Sequence, residues 1–251
     1  MTDALFEYTI HLADNSLIMG HRLSELTGHG PMLEQDIAIS NIALDYIGQS
    51  RYFFQYAASL KGLPASEDTL AFLRDAPEFK NFLITEIPNG DWSKTMMKLF
   101  CFSTYLYFLY QKLIYSSDKQ LAAIAEKSLK EVSYHVRWSS EWIIRLGDGT
   151  KESNQRIIVS LQEVWPYTGE MFDLSDFEKD CRSENISVDL EEIQPGWRQK
   201  VTEVFREATL SFPDKNIWMQ KGGKTGIHTE HLGHILAEMQ FLQRAYPGCN
   251  W

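Results

Sequence analysis

Apolar residues recur at three- and four-residue intervals through most of the chain, and no stretch alternates apolar and polar positions between turn residues. The pattern predicts helices nearly throughout. The first covers roughly Phe6 to Leu26 and stops at Gly28 and Gly30. Pro31 suits the first turn of a second helix that runs to about Leu60, with Gly62 and Pro64 as stop signals. Leu33, Ile37, Leu44, Ile47 and Phe54 fall near helical spacing along it. Two short helices follow, Thr69 to Arg74 and about Pro77 to Thr85, then a Pro88-Asn89-Gly90 turn. Asp91 caps a long aromatic helix ending near Ser116, and Asp118 caps another reaching Leu146. Beyond it the pattern predicts helices over about Ser153 to Phe172, Leu190 to Leu210 (interrupted at Pro195-Gly196) and His228 to Ala245. Ser175 to Asp189 reads as polar and irregular, and Pro213 to Gly226 as a loop. Long helices joined by short turns predict an all-α chain built as a four-helix bundle with additional C-terminal helices.

Composition narrows this reading. The 251 residues are 44% hydrophobic and 13% aromatic, enough for a large core. No linker or low-complexity run divides them, so residues 1–251 are expected to form one domain. A net charge of −10 and a pI near 5.2 argue against general nucleic-acid binding and against docking on an anionic membrane. The first residues carry acids and no basic region, unlike a secretory signal. Met96 to Tyr115 is the most apolar stretch, but Lys98, Gln111 and Lys112 interrupt it, which suits a buried helix better than a membrane span. Its aromatics, Phe100, Phe102, Tyr105, Tyr107, Phe108, Tyr110 and Tyr115, cover more than one helix face and predict burial, with part of them free for a partner groove. Cys101, Cys181 and Cys249 are far apart and form neither a zinc spacing nor a disulfide framework, so a cytoplasmic home is expected.

The candidate chemistry is a pair of incomplete metal motifs. Carboxylate-bridged di-iron bundles draw one Glu from each of two helices and Glu-x-x-His from each of the other two. Here the corresponding frames read Tyr46-x-x-Gln49 and Val132-x-x-His135. The third long helix, Trp92 to Ser117, contains no Asp, Glu or His and has no carboxylate to offer. His135 shares an inward face with Ala125, Ser128, Val132, Ser139 and Trp142. It reads as a core histidine needing a partner such as Glu131, Asp14, Asp36 or Asp45, or as a surviving ligand. Asp14, His21 and Glu25 on the first helix are either remnants of a ligand set or a polar network.

At these residues the chain resembles the C subunits of bacterial phenylacetyl-CoA epoxidases, multicomponent ring-epoxidising oxygenases. The resemblance spans nearly the whole chain. It runs through 12–15 (Leu-Ala-Asp-Asn), 41–51 (Asn-Ile-Ala-Leu-Asp-Tyr-Ile-Gly-Gln-Ser-Arg) and 67–72 (Glu-Asp-Thr-Leu-Ala-Phe). It continues through Pro88-Asn89-Gly90, 130–135 (Lys-Glu-Val-Ser-Tyr-His), 222–226 (Gly-Gly-Lys-Thr-Gly), 228–233 (His-Thr-Glu-His-Leu-Gly) and Trp251. It implies a ferritin-like fold without a working di-iron centre, paired with a homologous catalytic A subunit that holds the irons. A small B subunit and a reductase delivering electrons from NADPH complete such complexes, which serve aerobic phenylacetate breakdown. The A subunit's Asp-Glu-x-Gly-His segment corresponds to Asp45-Tyr46-Ile47-Gly48-Gln49, so its ligand roles do not carry over.

Two C-terminal features stay open. Lys221-Gly222-Gly223-Lys224-Thr225-Gly226 precedes a helix start and lacks the Walker pattern. It is a candidate CoA-phosphate contact through Lys221 and Lys224, a subunit interface, or a plain loop and cap. His228, His231 and His234, with Glu230 and Glu238 nearby, read as a zinc or copper site or as a packed or interfacial polar cluster, with His228 and His231 candidate CoA or interface contacts. The expected function is a non-catalytic structural subunit without its own cofactor. The alternatives are a di-metal oxidase with unorthodox ligands and a CoA-binding module.

Overall fold

The computed structural model of the chain describes residues 2–249; Met1, Asn250 and Trp251, the last among the residues carrying the resemblance, lie outside the described residues. Among the described residues there are helices and no strands. Four long helices form the bundle: α1 (Thr2–Ser24), α2 (Leu33–Lys61), α5 (Trp92–Leu113) and α6 (Lys119–Gly147). The short α3 (Glu67–Phe72) and α4 (Leu83–Glu86) lie in the connection between α2 and α5. α1 packs along α2, and α5 along α6. α7 (Lys151–Val164), α8 (Asp176–Ser183), α9 (Leu190–Glu207), α10 (Glu230–Met239) and α11 (Phe241–Ala245) follow. Of these, α7 and α9 cover α5, and α8 packs on α1. This is the ferritin-like, all-α architecture expected, with the added C-terminal helices. None of the described helices is long and apolar enough to cross a membrane.

Capping chemistry sets several boundaries. Asp91 accepts from the Lys94 amide at 3.0 Å and Asp118 from the Leu121 amide at 2.8 Å, opening α5 and α6 where expected. Ser66 and Thr69 form a reciprocal cap on α3. Four expectations need correction. The Pro77–Thr85 helix is instead a 3₁₀ turn, Ala76–Glu78, and the single-turn α4. The helix expected to reach Phe172 ends at Val164, because Trp165 precedes Pro166 and 3₁₀ turns take over. The segment read as irregular contains α8, capped by Ser175 and Glu178. α9 runs unbroken through Pro195; Gly196 there lets α9 approach α5, since a Cβ would sit 2.7 Å from the Phe108 ring.

The buried apolar side chains form one cluster reaching from Tyr8 in α1 to Leu236 in α10. Phe100, Phe102, Tyr105 and Tyr110 of α5 lie wholly inside it, whereas Tyr115 is 81% exposed. α2 departs from the simple reading of its pattern. Its buried face carries Ile39, Ile42, Ala43, Tyr46, Gln49, Ser50 and Phe53, while Leu33, Ile37 and Leu44 point to solvent.

α5 also buries a lysine. Lys98 Nζ donates to the Ile87 carbonyl at 2.9 Å and to Asn89 Oδ1 at 2.8 Å, bracing the turn before α5. Burial, helped by the nearby Arg22 guanidinium, pushes its ammonium down to about 7. Between about 7 and the ordinary 10.5, the unfolded chain holds a proton at Lys98 that the folded chain does not. Stability from this group therefore rises with pH across that window, by up to roughly 1.4 kcal/mol per pH unit. Lys98→Met is expected to flatten that rise, as read from urea unfolding at successive pH values. An unchanged slope would show that Lys98 stays protonated inside the fold.

Candidate functional site

The four residues in the metal-motif frames do come together. Tyr46 and Gln49 lie one turn apart on the inner face of α2, and Val132 and His135 on that of α6. All four are essentially inaccessible to solvent. The Tyr46 ring fills the bundle centre, 4.8 Å from the His135 ring and 5.8 Å from Phe102, measured between centroids. Burial holds its phenol well above the ordinary value, so it stays neutral.

Hydrogen bonds cross the α2–α6 seam in place of ligand bonds. Gln49 Nε2 donates to Glu131 Oε2 at 2.8 Å, and Tyr110 Oη of α5 lies 3.5 Å from Gln49 Oε1. His135 Nε2 meets Asp45 Oδ2 at 2.9 Å. Asp45 is thus the partner that the imidazole required. Glu131, also named as a possible partner of His135, bonds Gln49 instead. Burial raises the Glu131 carboxyl above its usual value, and Asp45 adds to this against the Gln49 bond.

This donor set does not fit a pair of irons. Among the described residues no three His, Cys, Asp or Glu side chains converge as a metal would need. α5 offers no carboxylate, and the centre holds a phenol and a valine where carboxylates belong and an amide where an imidazole belongs. The unpaired buried atoms there, Tyr46 Oη, Thr104 Oγ1, Ser128 Oγ and His135 Nδ1, include a single imidazole nitrogen and no carboxylate.

The first-helix candidates do not join this centre. Asp14 is fully buried and gripped by the Arg74 guanidinium, and it accepts from the Lys80 amide at 2.8 Å. Glu25 pairs with Arg22 at 2.6 Å, and half-buried His21 accepts from the Glu25 amide at its carbonyl, at 3.3 Å.

A second polar network ties the C-terminal segment down. Lys224 Nζ lies 2.8 Å from Glu178 Oε2 and 2.7 Å from the Asp173 carbonyl, with both charged side chains buried. Burial alone would raise the Glu178 carboxyl, but Lys224 and His11 bring it below its usual value. Glu170 accepts from the Leu83 and Gly222 amides, at 2.9 and 2.8 Å. Gly223 presses on the approach to α4: a Cβ there would sit 2.1 Å from the Asn81 carbonyl oxygen. His228 Nδ1 bonds Glu86 Oε2 at 2.9 Å, and its Nε2 bonds the Phe79 carbonyl. Burial lowers the His228 imidazolium, but Glu86 more than restores it and leaves it above the ordinary value.

These placements bear on two of the alternatives left open by the sequence. Lys224 is not offered to a CoA phosphate, because its ammonium is consumed inside the fold; Lys221 remains exposed. His228 belongs to the Glu86 network, so it does not share a metal with half-buried His231 and exposed His234. Arg74, Glu86, Glu170 and Glu178, which hold these networks, carry no local sequence signal beyond the Ser175-x-x-Glu178 cap.

Comparison with known proteins agrees with the fold. Residues 1–251 match the family described as phenylacetic acid catabolic protein. The chain is 43% identical over 247 residues to the C subunit of the 1,2-phenylacetyl-CoA epoxidase of Escherichia coli (strain K12), a match that takes in 98% of this chain and 99% of that protein. The chain therefore belongs to the phenylacetic acid catabolic protein family, on the branch similar to the epoxidase's C subunit.

Proposed function

We propose that this chain is a non-catalytic structural subunit of a multicomponent di-iron oxygenase that epoxidises the ring of phenylacetyl-CoA in aerobic phenylacetate breakdown. Its role is to bind and support a homologous catalytic A subunit. The observation that carries the proposal is the bundle centre: Tyr46 and Val132 stand where bridging carboxylates are needed, and Gln49 where an imidazole is. Hydrogen bonds from Gln49 to Glu131 and from His135 to Asp45 supply the cross-links that metal would otherwise make. Iron then belongs to the catalytic partner, and electrons reach it from NADPH through a reductase subunit; a small B subunit is the remaining component. The complex works in the cytoplasm, which suits the free thiols of Cys101, Cys181 and Cys249.

Reconstitution tests this directly. With the A and B subunits, the reductase, NADPH and phenylacetyl-CoA, epoxide formation is expected to depend on adding this chain. The chain with reductase and NADPH alone is expected to form none. Turnover by the chain without the A subunit, or full activity of the complex lacking the chain, would overturn the proposal.

A further inference from the structure

Polar anchors tie α10 and α11 to the bundle at both ends. At the near end the chain turns back at Gly226, whose left-handed backbone (φ 80°) suits glycine, and a Cβ there would sit 2.2 Å from the Pro77 carbonyl oxygen. The turn leaves Ile227 in solvent and points the His228 ring inward, just ahead of the Thr229 cap of α10. At the far end Gln240 Nε2 donates to the Arg74 carbonyl at 2.9 Å, and Arg244 Nη2 donates to Asp75 Oδ1 at 2.8 Å. The amide and guanidinium donors there keep their charge state near neutrality. The imidazole at the near end is the side chain that does not.

The partners of the ring fix its protonation. Nε2 faces the Phe79 carbonyl and Nδ1 faces Glu86 Oε2, both at 2.9 Å. A carbonyl only accepts, so Nε2 carries a proton. The Glu86 side chain is fully buried and already accepts from Asn81 Nδ2 at 3.0 Å through Oε2 and from the Thr229 amide at 2.6 Å through Oε1. It meets the ring as an acceptor too, so Nδ1 is protonated as well and the ring is an imidazolium. A neutral ring would either aim a lone pair at Glu86 or leave the Phe79 carbonyl without this donor. The charged groups acting on the ring are Glu86 from α4 and Asp14 from α1, the latter itself paired with Arg74, and both favour the imidazolium against burial. On α10 itself, Glu230 is exposed.

We propose that His228 is a pH-sensitive clasp: its imidazolium fastens the start of α10 to Glu86 and to the Phe79 carbonyl, and loss of one ring proton loosens α10 while the four long helices stay folded. Because the ring in place titrates above the ordinary 6.5, the tie is complete below 6.5 and is lost as pH rises through the folded value. Opening of α10 is expected to increase with pH across that window, by up to about tenfold per pH unit, and to level off above it. Amide hydrogen exchange of the full-length chain, corrected for the intrinsic rate at each pH, compares α10 with α1 and α6. NMR of the ring nitrogens reads the protonation of His228 directly. His228→Gln keeps a donor but cannot titrate, so its α10 is expected to exchange at one corrected rate at every pH, faster than wild type in mild acid. Both ring nitrogens protonated at about pH 6, together with a wild-type rise in α10 exchange that His228→Gln abolishes, is the expected result. A bare ring nitrogen at that pH, wild-type α10 exchange that stays flat, or an equal rise in the variant would each overturn the proposal. Should His228→Gln fail to fold, the ring NMR and the wild-type exchange decide by themselves.

Discussion

Lys224→Met is expected to lower the free energy of unfolding by about 3–5 kcal/mol. The substitution keeps the length of the side chain and removes its charge. Glu178 then stays buried with Ser175 as its remaining close partner, at 2.6 Å from Oγ and 2.8 Å from the amide. The Asp173 carbonyl also loses its donor. Because Glu178 is held below its usual value in the folded chain, its stabilisation is present above the unfolded value of 4.5 and is lost as pH falls through the folded one. The deficit of the variant is therefore largest near neutrality and narrows in acid, where its stranded carboxyl takes up a proton. Adding Glu178→Gln to Lys224→Met is expected to recover part of the loss. Urea unfolding followed by circular dichroism reads all three. A loss below about 1 kcal/mol would mean that the pair behaves as an exposed one.

Arg74→Met is expected to cost a similar amount, about 3–5 kcal/mol, at the other buried ion pair described above. The guanidinium reaches Asp14 Oδ2 at 3.0 Å and bonds its other oxygen as well. It also donates to the Glu78 carbonyl at 2.9 Å and lies over the Phe79 ring, 4.1 Å from its centroid. Burial keeps the Asp14 carboxyl above its usual value in spite of Arg74, so the intact pair adds little net stability. Breaking it is costly because Asp14 has no route to water. Asp14→Asn, which keeps the shape and removes the charge, is expected to lose less. Equal losses in the two variants would show that packing, and not the stranded carboxylate, governs the site. The pair also bears on function: Asp14 is committed to Arg74 and is not a free carboxylate for the bundle centre.

The long helices were legible because their caps and their periodicity agree, as at Asp91 before α5 and Asp118 before α6. The orientation of α2 was not. Periodicity marks a helix, but its inner face is partly polar and its outer face carries Leu33, Ile37 and Leu44. An exposed apolar stripe and a core-facing one look alike in one sequence. α8 escaped because its residues are polar, although Ser175-x-x-Glu178 has the spacing of a capping box. The centre itself was legible, since residues three apart on a helix share a face. Its cross-links were not: Gln49 and Glu131 are 82 positions apart, and Asp45 and His135 are 90. Lys224 and His228 looked like ligand-binding groups for the same reason, as their buried carboxylate partners come from distant segments.

The central claim is that the bundle centre cannot support di-iron chemistry in this chain. Metal content of the chain, expressed without other subunits in iron-supplemented medium and then exposed to ferrous iron under argon, tests it most directly. The account predicts no stoichiometric iron or manganese, with no change on His135→Ala. About two metal ions per chain, as a di-metal carboxylate site requires, lost on His135→Ala, would contradict it and make the chain a catalytic candidate in its own right.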